Sequence, residues 1–325
     1  MLSFALISGS IEQGLAYGIM ALGVFITYRV LQFADLTVDG TFPLGAAVAA
    51  SLIVSGTSPF VACLVAMLAG MLGGALTGFL HTKLRIAGLL AGILTMTGLY
   101  SVNLRIMGRA NIPLLRQPTV FTILEELLPK VPYLQLLVLL LLAVVIKLLL
   151  DAFLATDIGL AMRATGDSPE MIRSLGVDTE AMTIAGLSLA NGLVAFSGAL
   201  VAQYQGFADV GMGIGTVVVG LASVIIGTGI IRSHAVFHST LGVLVGAIIY
   251  RLAIFFALRM GLEPTDLRIM TAVLVIAALA LPTVKTRWRE RRLSRLVASE
   301  NARLLAEGYV GQKEEAGCVR DSQSA

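Results

Sequence analysis

The chain has 325 residues, 57% of them hydrophobic and only 13% charged, with a net charge of +3. Soluble domains carry about 25% charged residues, and the mean hydropathy here is +0.90. This composition excludes an ordinary globular enzyme and points to a polytopic membrane protein; the surplus positive charge collects in the C-terminal tail and gives no reason to expect a nucleic-acid partner.

Apolar segments fall at residues 11–28, 41–55, 59–80, 88–104, 134–151, 181–203, 211–230, 238–258 and 266–282. A helix needs about 20 residues to cross a bilayer core, so the pattern predicts an all-α protein with about eight or nine transmembrane segments. The first segment runs into YRVLQFADL without a small-residue cleavage site and reads as a retained helix. The 41–55 segment is short, and Asp35, Asp39, Gly40 and Pro43 crowd its start. On the 59–80 segment Gly70, Gly74 and Gly78 recur every four residues, a surface for close helix packing. Residues 105–133 form a polar loop with Arg105, Arg109 and Arg116, followed by a linking helix at 134–151 and a second polar loop at 152–180. The 211–230 segment carries glycines at 211, 213, 215, 220, 227 and 229, a density that weakens a helix. Both 41–55 and 211–230 are expected to be broken or re-entrant.

These two segments share a pattern. FADLTVDG starts at Phe33 and FADVGMGIG at Phe207, and each leads into a stretch of small apolar residues. Four segments within 1–104 and four within 181–282 flank the single linking helix, an arrangement that turns the second unit upside down. That is the inverted-repeat plan of many transporters. Nine Lys and Arg lie in the tail 283–325. Together with Arg29, Lys83, Arg85, Arg163, Arg173 and Arg232 they place that tail and the 152–180 loop in the cytoplasm, with the N-terminus and the 105–133 loop outside. The tail reads either as a basic amphipathic helix near the inner leaflet or as a solvated polar helix.

Catalytic signatures are missing. None of the five lysines follows a glycine, so a nucleotide-cradling Gly-Lys-Ser/Thr cannot be formed, and there is no His-Glu-x-x-His. Cys63 and Cys318 lack the spacing of a disulfide or metal site. No cofactor is expected. Polar residues inside or beside apolar segments are costly in lipid and mark candidate positions on a path. They are Asp35, Asp39, Asn103, Asn191, Gln203 and Asp209, with Glu12, Gln13 and Arg251 as further candidates. The three aspartates also suit helix capping, and the two roles are compatible.

The densest polar stretch is RATGDSPEMIRSLGVD, residues 163–178. It reads as a helix of about two turns with Asp167 as N-cap, Pro169 in the first turn, Glu170 three residues after the cap and Gly176 as terminator. Met171, Ile172 and Leu175 would form its apolar face. A short helix with no core of its own wants a groove on another protein; the alternative is a helix tucked against its own membrane domain.

GLAMRATGDSPEMIRSLGVD resembles the cytoplasmic loop of permeases in the branched-chain amino acid and ribose permease family of ATP-binding-cassette importers. Gly159, Arg163, Ala164, Gly166 and Gly176 match that loop, whereas Met171 and Ile172 replace its usual small pair. YRVLQFADLTVDGTFPLGAAVAA resembles the family's Asn-Phe-Ala element, with Gln32 in place of Asn. The resemblance covers about residues 11–282, and its wording lies closest to a subgroup serving amino acids, aromatic ones included. It implies a bacterial inner-membrane subunit without catalytic residues, paired with a second permease copy, a cytoplasmic ATPase and an extracytoplasmic solute-binding protein. The ATPase-coupling residues would be Arg163, Gly166, Asp167, Glu170, Met171, Ile172, Leu175 and Gly176, and Arg105, Arg109 and Arg116 would meet the binding protein. An ion-coupled secondary carrier with inverted repeats is the rival expectation.

Overall fold

The computed structural model describes residues 2–127, 133–231 and 235–259, together with 269, 271–273 and 276. The chain divides into units Met1–Val275 and Ile276–Ala325, and only Ile276 of the second lies among the described residues. The expected span at 266–282 is thus described at those five residues only, and the basic tail falls outside the description.

The helices are α1 (Leu2–Phe25, prolonged by a π-helical turn, Ile26–Val30), α2 (Val38–Val54), α3 (Pro59–Thr82), α4 (Gly88–Met107), α5 (Val120–Leu127) and α6 (Leu134–Leu154). They continue as α7 (Asp157–Asp167), α8 (Pro169–Ser174), α9 (Thr179–Gln205), α10 (Thr216–Ile230) and α11 (Val236–Arg259). Among the described residues seven helical segments are long and apolar enough to cross a membrane, and α2 is a shorter apolar helix beside them. The polytopic, helical expectation holds.

Ordinary chain chemistry sets the ends of these helices. Pro59 occupies the first position of α3, where its missing N–H is no loss. Asp178 caps α9 by accepting from the N–H groups of Glu180 and Ala181, and Gly206 ends the same helix in a left-handed conformation. The apolar windows of α1 and α9 are 83% and 72% buried, against 22% for α6 and 28% for α4. So α1, α9 and the almost wholly buried α2 form the centre, and α4 and α6 lie at the periphery with leucines such as Leu149 outward. The α3–α9 seam is made by the glycine stripe. A Cβ on Gly74 would strike the Leu187 carbonyl, and one on Gly70 would strike Ala195 and the Asn191 carbonyl. Backbone-to-backbone approach of this kind supplies the packing that holds helices together where water cannot drive them.

One expectation needs correction. The 41–55 segment is not broken: α2 is one continuous helix of 17 residues despite Pro43 within it. One short ribbon accompanies the helices. Asn111–Pro113 (β1) pairs antiparallel with Phe207–Asp209 (β2), so the 105–133 stretch is anchored to the turn after α9. The 211–230 segment does break, as its glycines suggest. A 3-10 turn at Val210–Gly213 and a left-handed Gly215 separate β2 from α10.

Candidate functional site

A buried polar seam runs where α2, α3 and α9 meet. The turn before α2 carries Asp35, which is 6% exposed. Its Oδ1 accepts from the Thr37 N–H at 2.8 Å, and its Oδ2 accepts from Asn191 Nδ2 at 2.7 Å. Thr41 donates to Asn191 Oδ1 at 2.7 Å, and the hydroxyls of Thr37 and Thr77 lie 2.8 Å apart. Polar groups buried in apolar surroundings are tolerable when paired, and three helices are tied together by doing so. On the other side of α2, Asn103 Nδ2 donates to the Gly40 carbonyl at 3.2 Å while its Oδ1 is buried without a partner.

Asp39 joins α2 to α10. Its carboxylate accepts from the Gly215 and Val217 N–H groups and from the Thr216 hydroxyl, all within 3.0 Å. It therefore caps α10, a helix about 180 residues downstream in the chain. Pro43 cannot donate to the Asp39 carbonyl, and Gly213 lies against that carbonyl. The N-terminal ends of the two helices that follow Phe-Ala-Asp thus meet. None of the three aspartates caps the helix expected of it: Asp35 closes the turn before α2, whose N-cap Thr37 makes no side-chain capping bond, Asp39 caps α10 instead of α2, and Asp209 caps the 3-10 turn through Gly211 N–H rather than α10.

The six candidate path residues do not converge on one point. Asp35, Asp39, Asn103 and Asn191 surround α2. Gln203 sits at the far end of α9, where it donates to Cys63 Sγ and accepts from the Val120 N–H, starting α5. Asp209 belongs to β2 and accepts from Asn111.

The candidate coupling element is the pair α7–α8. Thr156 caps α7, and the Gly166 backbone is pressed against the end of the π turn; a Cβ there would strike the Val30 carbonyl. Asp167 is the last residue of α7 and does not cap α8; instead it accepts from Gln32 Nε2 at 3.3 Å. The helix prolongs the preceding apolar turn through residue 167, so the N-cap position passes to Ser168, whose side chain makes no capping bond. Pro169 opens α8 and Glu170 is exposed in its first turn. The expected single apolar face is also divided. Ile172 is 7% exposed and turned inward, whereas Met171 and Leu175 are 60% and 69% exposed. Residues four apart share a helix face; residues 171 and 172 do not.

Gly176 closes α8 as expected, at φ +87°, with its N–H on the Arg173 carbonyl and the Val177 N–H on the Ile172 carbonyl. Beside the element a cleft of about 720 Å³ is lined by Gln32, His81, Arg85, Gly166 and Arg173. Gln32 and Arg85 both adopt left-handed backbone conformations there. Arg163, half-buried on α7, lines a second cleft with Arg29 and Asp167.

At the β1–β2 end, Arg105 finishes α4, and Arg109 and Arg116 flank β1; all three are exposed, and none has a hydrogen bond or ion pair among the described residues. One charged pair escaped the sequence reading. Lys147 and Asp151 on α6 form an ion pair at 2.6 Å, with side chains 4% and 12% exposed. Thr240 of α11 donates to Asp151, and the Lys147 ammonium lies over the Phe237 ring. The four-residue spacing of opposite charges was the visible signal.

Comparison with known proteins identifies the family. Residues 6–281 match the family described as "Branched-chain amino acid transport system / permease component". The chain is 44% identical over 268 residues to the tyrosine transport system permease protein of Clostridioides difficile (strain R20291), covering 82% of this chain and 88% of that one. It is 38% identical over 275 residues to an uncharacterized protein of Rickettsia prowazekii (strain Madrid E), covering 83% and 95%. Among solved structures, an inward-facing conformation of an ABC transporter assigned to the metal-chelate type aligns with a TM-score of 0.48 at 15% identity, covering 86% of this chain and 85% of that one. With a family match across most of its length and a relative at this identity, the chain belongs to the permease components of the branched-chain amino acid transport systems.

Proposed function

We propose that the chain is the membrane-spanning permease of an ATP-driven importer in the bacterial inner membrane, and that its solute is an aromatic amino acid, with tyrosine as first candidate. The solute rests on the relative that transports tyrosine by name. The ATP-driven mechanism rests on one observation above the rest. α8 is closed at its C-terminal end by Gly176 and held by inward-facing Ile172 and by Gly166 against Val30, yet Met171 and the adjoining Leu175 face outward. A stiff mount carrying an exposed apolar pair is what a separate ATPase needs in order to move the permease. Arg163, Asp167 and Glu170 frame this contact. A second permease copy and an extracytoplasmic binding protein complete the assembly, with Arg105, Arg109 and Arg116 facing the binding protein.

In this reading α7–α8 is cytoplasmic, the N-terminus and β1–β2 are outside, and the two Phe-Ala-Asp helices belong to inverted repeats. Their meeting at Asp39 and Gly215 supports that plan. The seam of Asp35, Asp39, Asn103 and Asn191 borders the path; Gln203 and Asp209 shape its outer end.

Affinity purification in mild detergent, followed by reconstitution with the co-purifying ATPase and binding protein, tests the proposal. Tyrosine uptake that requires ATP and both partners is expected. Uptake by the permease alone under an ion gradient would establish the rival carrier instead. For orientation, single cysteines at Ser168 and Leu115 should react with an impermeant thiol reagent from the inside and the outside respectively; reversal would overturn the assignment.

A further inference from the structure

Arg251 is the sixteenth of 24 residues in α11, which puts it about 5 Å from the middle of a helix of membrane-spanning length. A cation at that depth is expensive in lipid, and such residues face a bundle interior or a water-filled cavity, paired with an opposite charge. Here the pairing is missing. No carboxylate reaches Arg251 among the described residues, and its Nε is buried without a hydrogen-bond partner. It lies over the face of Tyr17 on α1, with the guanidinium carbon 3.6 Å from the ring centroid. Tyr17 is in turn stacked on Phe42 of α2, centroids 5.4 Å apart. The α1–α11 seam beside it is tight, because a Cβ on Gly14 would strike Ile248 and one on Gly18 would strike Leu244. The neighbouring Tyr250 hydroxyl is also buried and unpartnered.

A guanidinium held over an aromatic face by its charge makes no hydrogen bond with that face, so its N–H donors stay available, and their fork matches a carboxylate. We infer that Arg251 faces the aqueous translocation path and receives the carboxylate of the transported amino acid, with Tyr17 as the shelf that holds the guanidinium in place. This rests on the amino-acid importer reading above. It assigns to a residue outside the α2 seam the anionic half of solute recognition during passage. In the seam, the Asp35, Asn191 and Thr41 side chains are occupied with one another, and the Asp39 carboxylate is occupied by the start of α10.

The test uses the reconstituted importer in a parent carrying Cys63→Ser and Cys318→Ser, with Arg251→Cys added. The cysteine should react with water-soluble methanethiosulfonates, and uptake should fall roughly 30-fold or more, the scale of losing one partner of a desolvated charge pair. Attaching the cationic aminoethyl group should restore much of the uptake; attaching the anionic sulfonatoethyl group should not. A cysteine inert to aqueous reagents, or uptake within about twofold of the parent, would overturn the inference. So would equal rescue by both reagents. If Arg251→Cys fails to accumulate, Arg251→Lys keeps the cation and loses the fork. It should keep normal yield with weakened uptake, and unchanged uptake would overturn the assignment. Should the parent itself move no amino acid, the functional reading falls and the carboxylate role falls with it. Normal uptake by both parent and variant removes the Arg251 assignment alone.

Discussion

The α2 seam and the α7–α8 element use their side chains in opposite ways. In the seam, polar groups are spent on the same chain: Asp35 on Asn191, Asn191 on Thr41, Asp39 on the start of α10. At α8, the apolar side chains of Met171 and of Leu175 just after the helix have no such company. Buried polar groups with internal partners lock helices into one arrangement, because an unpaired one costs its full desolvation. Exposed apolar groups on a rigid mount cost the free chain little and are available to another surface. Damage to the seam should therefore be read in stability, and damage to α8 in partnership.

The largest effect is expected in the α3–α9 contact beneath the seam. Gly74→Val would drive a branched side chain into the Leu187 carbonyl, costing about 3 kcal/mol or more, and the detergent-solubilised protein should be recovered in low yield with a lowered melting temperature. Normal yield would mean that the helices are not packed backbone to backbone there. Asn191→Leu should follow. It strips Asp35 Oδ2 of its donor, a loss of about 2–3 kcal/mol, visible as earlier thermal unfolding. The double variant with Asp35→Leu should lose less than the two single changes added, as coupled neighbours do; strict additivity would deny the contact.

Smaller effects are expected at the two surfaces. Arg109→Glu combined with Arg116→Glu should lower binding-protein stimulation of ATP hydrolysis, and more so at low salt, because exposed charges are screened. A response that ignores salt would count against docking at that face. Asp167→Ala should change least. A lost N-cap would cost about 1 kcal/mol. The actual role, an exposed 3.3 Å bond from Gln32, predicts a change within about 0.5 kcal/mol, measurable by thermal unfolding.

Hydropathy made most of the architecture legible, since residues 59–80, 134–151 and 181–203 have no alternative to being helices. The break in 211–230 was legible from its glycines, although its position at Gly215 was not. The same logic failed for 41–55. Local signals there argue for interruption, but α2 is enclosed by α3, α4 and α9, and Gly213 takes the place opened by Pro43. The shared Phe-Ala-Asp pattern hid a difference as well: Asp35 pairs with α9, while Asp209 sits in a strand that needs β1, a partner about 100 residues away. In α7–α8, Gly176 was readable because a terminator acts locally. Asp167 was misread because α7, capped from Thr156, runs through it. The inward turn of Ile172 follows from helix geometry and could have been read from its one-residue offset from Met171.

The most direct test of the central claim is Leu175→Asp, measured for permease stability and for ATPase retention on the same preparation. The account predicts an unchanged melting temperature and yield, with the ATPase released or its hydrolysis no longer coupled to tyrosine uptake, because an unpaired charge in an apolar contact costs several kcal/mol. A destabilised permease would place Leu175 against its own membrane domain. Full ATPase retention with normal coupled uptake would contradict the assignment of α7–α8 as the coupling element.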